Sequence, residues 1–137
     1  MTQPHKIQLQ QITVSSNFQT TSDAYESSYI GGSVDAFVSR FSQDGSSLLN
    51  STFFGSVEYD QAYFIELDAT DSVYIYGQTL APANTMIHNA TFAEPNSGQF
   101  VAKLSEDLSF LEFSTVFGSS SGAIDISPTA FLVDVCN

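Results

Sequence analysis

The residues able to do chemistry in this chain are mostly carboxylates and tyrosines, and they fall between the apolar segments. Asp23, Glu26, Asp35, Glu58, Asp60, Glu94 and Asp125 lie in polar stretches that contain no Lys or Arg. Calcium takes about six to eight converging oxygens, and Glu58, Asp60 and Asp125 are the candidates to begin such a shell. No Asp-x-Asp-x-Asp-Gly loop is present to complete one. Tyr25, Tyr29 and Tyr59 sit in the same stretches and offer flat rings on which a carbohydrate could stack. Glycoside hydrolysis would need two carboxyls roughly 5–9.5 Å apart across a cleft; the sequence holds many acids and singles out no pair. The only cysteine, Cys136, can build neither a disulfide framework nor a thiolate metal site. His5 and His88 have no spacing that links them to it.

The overall balance narrows the partners. Three Lys and Arg against 15 Asp and Glu give a formal net charge of −12 over 137 residues. Nucleic-acid binders need a basic footprint, so the chain is not expected to bind nucleic acid or an anionic membrane surface. A cation is compatible with it. No run approaches the ~18 apolar residues of a membrane span, so no membrane insertion is expected. Residues 1–11 have no apolar core of a signal peptide; a leader, if the natural protein is exported, is expected outside this chain.

The elements that must position these residues are strands. Phe, Tyr, Ser and Thr are abundant and Trp is absent, a β-rich composition. Residues 1–11 read as frayed, and Ile12-Thr13-Val14 as a short strand. A loop over 15–35 precedes a strand over 36–41. A turn carrying Asp44-Gly45, a strong hairpin signal, leads to the return strand 48–54. Strands over 62–67 and 73–77 follow, joined by a tight turn at 68–72. After a long loop over 78–98, strands over 99–104 and 109–117 repeat the first hairpin. A loop over 118–129 and a strand over 130–135 close the chain. No helical period of useful length is present, although a weak turn of helix fits 85–92.

The repeat is explicit. Phe37, Val38, Arg40, Asp44, Ser51, Phe54 and Gly55 recur 63 positions later as Phe100, Val101, Lys103, Asp107, Ser114, Phe117 and Gly118. Ala62, Tyr63, Ile65 and Glu66 recur 68 positions later as Ala130, Phe131, Val133 and Asp134. The slip falls in a loop, as a true repeat requires. Four short antiparallel strands in such a period are the size of one propeller blade. Adjacent apolar residues such as Phe53-Phe54 and Phe64-Ile65 suit a sheet covered on both faces. Phe37, Phe54, Phe100 and Phe117 are expected to be buried.

The run GGSVDAFVSRFSQDGSSLLNSTFFG, followed by AYFIELDATDSVYIYGQT, resembles the bacterial seven-bladed β-propeller repeat. The closing ISPTAFLVDVCN is similar to that repeat in large surface proteins of gliding bacteria. The second copy departs from the pattern, with Ser97-Gly98-Gln99 before its strand and Leu108 in place of the turn glycine. The resemblance implies an all-β fold of antiparallel four-stranded propeller blades in an incomplete ring of about two blades. Residues 12–54 would end one blade, 62–117 form a full blade and 130–137 begin the next. It carries over no catalytic residues. Ser42-Gln43-Asp44-Gly45 is also faintly similar to the Asp-box turn of sialidase propellers, but Arg40 is the only Arg available for a sialic acid carboxylate.

In an antiparallel meander alternate connections share a side, so all the long acidic loops are expected on one face. The expected function is a non-enzymatic extracellular adhesion or scaffold module of a larger bacterial surface protein. Its partners would be the remaining blades of the same polypeptide, a second copy through self-association, or a surface glycan or protein. The alternative is a carbohydrate- or calcium-binding module using Tyr25, Tyr29, Glu58, Tyr59, Asp60 and Asp125. A fragment of a glycoside hydrolase is the third reading.

Overall fold

The computed structural model describes residues 6–13 and 16–134, and these are all-β with no helix. Seven strands form two antiparallel sheets. The first sheet holds β1 (Lys6–Thr13), β2 (Asp35–Phe41) and β3 (Leu48–Phe54), paired in that order. The second holds β4 (Asp60–Leu67), β5 (Val73–Thr79), β6 (Gln99–Leu104) and β7 (Leu111–Phe117), again in chain order. Neither sheet closes on itself.

Two differences from the sequence reading stand at the ends. β1 begins at Lys6 and pairs along β2 from Lys6–Phe41 to Thr13–Asp35, where frayed chain was expected up to Gln11. Val14 and residues 1–5 lie outside the described residues. The expected strand over 130–135 does not form in its described part. Residues 130–134 match β4, whose ladder bonds go to the strand that follows it, and among the described residues no such strand pairs with them. Val135 and Cys136 lie outside the described residues. Residues 85–92 hold no helix; His88 instead makes an isolated antiparallel bridge to Ser114.

The repeat governs local detail. A bulge puts an extra residue, Leu49, in β3 opposite the Arg40–Phe41 step and, 63 positions on, Glu112 in β7 opposite the Lys103–Leu104 step. It moves the register by one, so Arg40 lies opposite Asn50 and Lys103 opposite Phe113, not opposite Leu49 and Glu112 as simple counting suggests. The two hairpin turns superpose bond for bond. In the first, Asp44 Oδ1 accepts from Ser42 Oγ (2.6 Å), Ser46 Oγ (2.8 Å) and Ser46 N (3.1 Å). In the second, Asp107 Oδ1 accepts from Ser105 Oγ (2.7 Å), Ser109 Oγ (2.7 Å) and Ser109 N (3.1 Å). An Asp held this way replaces a backbone turn bond. The hydroxyls of Ser42 and Ser46 hold the Asp44 carboxyl down at about 2, and Asp107 is lowered by the equivalent serines.

The core lies between the sheets. Ala36, Val38 and Phe54 of the first sheet pack on Ile75, Phe100, Ala102 and Leu104 of the second, with Leu108, Leu111 and Val116. Phe54 meets Phe100 with ring centres 5.3 Å apart. The opposite face of the first sheet presents Phe37 and Phe53, and its own loop covers them: Phe18 lies 3.8 Å from Phe37, and Tyr29 stands edge-on to Phe53 at 6.0 Å.

Two of the long loops run back along sheet edges. On β3, Thr21 N donates to Ser51 O and Phe53 N donates to Glu26 O. On β7, His88 N donates to Ser114 O and Glu94 N to Val116 O. Ser51 and Phe53 are the repeat partners of Ser114 and Val116, so both loops seal the same outer edge. An unsealed edge strand is a template for unwanted pairing, which explains loops this long in so small a chain.

Candidate functional site

Three places bring chemistry-bearing residues together. The first is the joint where the sheets meet. Asp35 opens β2 and Asp60 opens β4, and both carboxyls are fully buried. Asp60 N donates to Val34 O, and Val34 bridges Tyr59 in parallel. Asp60 Oδ2 accepts from Ser56 N (2.5 Å) and Ser56 Oγ (2.7 Å), and its Oδ1 accepts from Thr79 Oγ1 (2.5 Å). Asp35 Oδ2 accepts from Ile30 N (2.7 Å) and Gly31 N (3.4 Å). Gly55 lies between the two acids: a Cβ on it would come within 3.0 Å of Asp60 Oδ2 and 3.1 Å of Asp35 Oδ1. Burial pushes both carboxyls above the usual range, against the hydrogen bonds that favour their charged forms.

The second place is a cleft of about 150 Å³ between the sheets, lined by Tyr25, Phe54, Thr85, Met86, His88 and Leu111 among others. Tyr25 is 41% exposed and lies 6.5 Å from Phe54. His88 Nε2 is 3.0 Å from Asn89 Nδ2.

The third is the outer face of the second sheet. Phe64, Tyr74, Tyr76, Val101, Phe113 and Phe117 lie on it, all half-buried. Tyr76 stacks with Phe64 at 6.2 Å and with Phe117 at 5.9 Å, and Phe131 from the closing segment lies 5.5 Å from it. At one end Lys103 Nζ reaches Asp68 and Glu112, each at 3.0 Å, and lies 5.3 Å from the Tyr74 ring centre. Burial works against the Asp68 carboxyl, but Thr70, Lys103 and nearby amides win and hold it at about 2. At the other end Gln78 Nε2 and Gln99 Nε2 both donate to Ile126 O, at 2.7 and 2.8 Å. A groove of about 240 Å³ lined by Asn89, Phe92, Phe113 and Thr115 adjoins the face along β7.

Of the residues proposed from sequence for one ligand site, Tyr29, Glu58 and Asp60 lie at the joint between the sheets. Glu58 is exposed, Asp60 is buried in the joint, and Asp125 is exposed with its Oδ1 near Gly118. Among the described residues no group of three or more His, Cys, Asp or Glu is placed to hold a metal ion, so the trio expected to begin a calcium shell does not converge. Tyr29 donates its hydroxyl to Gly32 O, and Tyr59 bonds Gln61; burial, first, and the neighbouring Tyr63 raise the Tyr59 hydroxyl to about 12. Of the three tyrosines, Tyr25 lines the inter-sheet cleft. Phe117, expected in the core with Phe37, Phe54 and Phe100, is only half-buried, because it lies on the open face. Sequence reasoning placed Asp35 among the loop acids without pairing it to Asp60 and did not single out Tyr76; the repeat offset already put Val101 in the place of Val38.

In comparison with known proteins, no protein-family model matches this chain, and no curated protein matches it.

Proposed function

We propose that this chain is a non-enzymatic stacking module, a scaffold or adhesion segment of a larger cell-surface protein built from sheets of one repeat type. One observation carries the reading. The first sheet docks on the second through Ala36, Val38, Arg40 and Phe54, and the repeat equivalents of these residues are Gln99, Val101, Lys103 and Phe117. Those four residues form part of the outer face of the second sheet. The face left open is thus built like the face already used for docking.

The Phe54–Phe117, Val38–Val101 and Arg40–Lys103 pairs differ as a covered and an uncovered copy would, whereas Gln99 is as buried as Ala36. Phe54 is 3% exposed and Phe117 half-buried; Val38 is fully buried and Val101 is not. Arg40 reaches out of its sheet to Glu106 in the β6–β7 turn, at 2.7 Å; Lys103, in the same repeat position, stays with acids of its own sheet. A face-to-face contact repeated in the same sense is heterologous, and rings or open stacks grow from such contacts. In this reading the two sheets are blade-like, and the occupant of the open face is a further sheet of the same repeat. A non-enzymatic role is supported by how the acids are used: Asp44, Asp68 and Asp107 hold turns, and the buried Asp35 and Asp60 hold the joint between the sheets. The acidic balance and the resemblance to surface-protein repeats support an extracellular or cell-surface setting.

Sedimentation velocity tests the proposal. Without a further sheet, the chain should bury its open face against a second copy, and its weight-average sedimentation coefficient should rise with concentration. Val101→Lys should abolish that rise while keeping a cooperative melt. A parent chain that stays monomeric throughout would refute the docking role.

A further inference from the structure

Asp35 Oδ1 is buried and has no hydrogen-bond partner. It faces the same point above Gly55 as Asp60 Oδ2, so the two oxygens are no farther apart than the sum of their distances to that point. Asp60 already has two hydroxyl donors and one amide donor, the pattern of a carboxylate. Asp35 has amide donors on Oδ2 alone. Arg40 is engaged with Glu106, and Lys103 with Asp68 and Glu112. The ionisable groups that face the joint are Glu26 and Tyr29 from the loop before β2 and Glu58 from the loop before β4. None of them supplies positive charge.

We infer that Asp35 and Asp60 hold a single proton between them, carried on Asp35 Oδ1 and donated to Asp60 Oδ2, and that this proton latches the two sheets together. It gives the orphan oxygen a partner and removes one of two like charges that cannot both stay ionised side by side in a dry site. Burial, which lifts both carboxyls, agrees with it. When the proton leaves, two carboxylates repel at the point where β2 and β4 begin, and the joint between the sheets weakens.

The sign follows from linkage. An acid whose pKa is raised in the folded state stabilises below its unfolded value, and that stability is lost as pH rises through the folded value. Between those two values the native chain binds one more proton than the unfolded chain. Over that window the unfolding constant should therefore climb with pH by about tenfold more per unit than in a chain lacking the proton.

Asp35→Asn is the matching variant. Its amide oxygen can accept from Ile30 and Gly31 while its NH₂ donates permanently to Asp60, so its pH profile should lack the one-proton fall seen in the parent. Asp60→Asn would set an NH₂ or a weaker acceptor against Ser56 and Thr79, and should be the more damaging change. Urea unfolding from pH 4 to 9 on both variants and the parent decides this; parallel profiles for parent and Asp35→Asn would overturn the latch, as would a reversed order of the two variants. Infrared spectroscopy of the parent gives a readout that needs no variant: a protonated carboxyl band should persist at neutral pH, and its absence would also overturn the inference. A rise in melting temperature on adding calcium to chelator-treated parent would mean that the pair takes a metal and not a proton.

Discussion

At the scale of single residues, the turn after β6 shows how one substitution changes a repeat's role. Gly45 and Leu108 occupy the same position, and both have positive φ, 72° and 59°. A left-handed backbone costs a side-chain-bearing residue ~1–2 kcal/mol. Gly45 has nothing within 4 Å of where a Cβ would be, whereas the Leu108 side chain is fully buried in the inter-sheet core. The same turn carries Glu106, which meets Arg40, and Leu108 O, which accepts from Tyr25 N at 2.8 Å. The strain at Leu108 is thus offset by docking. Leu108→Gly should lose ~1–3 kcal/mol, the buried side chain outweighing the relieved strain. Gly45→Leu should lose ~1–2 kcal/mol with no gain from burial. Chemical denaturation of both variants checks this, and a more stable Leu108→Gly would show that the turn is not a docking element.

At the scale of elements, the loop over 80–98 acts as a further edge strand. Met86 and Ala81 are buried in the core, Thr79 Oγ1 lies 3.2 Å from Met86 Sδ, and the loop's backbone bonds to β7 at both His88 and Glu94. Met86→Ala should therefore cost ~2–4 kcal/mol, and the amides of His88 and Glu94 should be protected in hydrogen exchange. Rapid exchange at both would mean that the loop does not seal β7. The strands themselves were legible: alternating apolar runs, the Asp-Gly turn and the 63-residue offset located β2 to β7 within a few residues. The sealing loops were not, because a backbone-to-backbone bond leaves no mark on the residue types that make it. The Asp35–Asp60 joint was hidden for a related reason. Each acid reads as an ordinary turn former, and their pairing depends on how two sheets meet. The strand expected over 130–134 shows the converse, since its pattern is right but a strand also needs a ladder partner.

At the scale of the whole molecule, the repeat supplies an internal control. Phe54 and Phe117 have the same chemistry and the same place in their sheets, and differ in whether a sheet lies over them. Phe54→Ala should cost ~3–5 kcal/mol, while Phe117→Ala should cost roughly 1–2 kcal/mol in the dilute chain. Equal losses by thermal melting would mean that the second face is already as well covered as the first. Sealed outer edges beside an open face also give the molecule a preferred direction of growth. A foreign strand seeking to zip onto β3 or β7 must first strip away hydrogen bonds that the loops already make, whereas a sheet arriving flat displaces none of them. Amyloid-like extension is thus opposed at those edges in the folded chain, and the surface still open to a partner invites ordered layering.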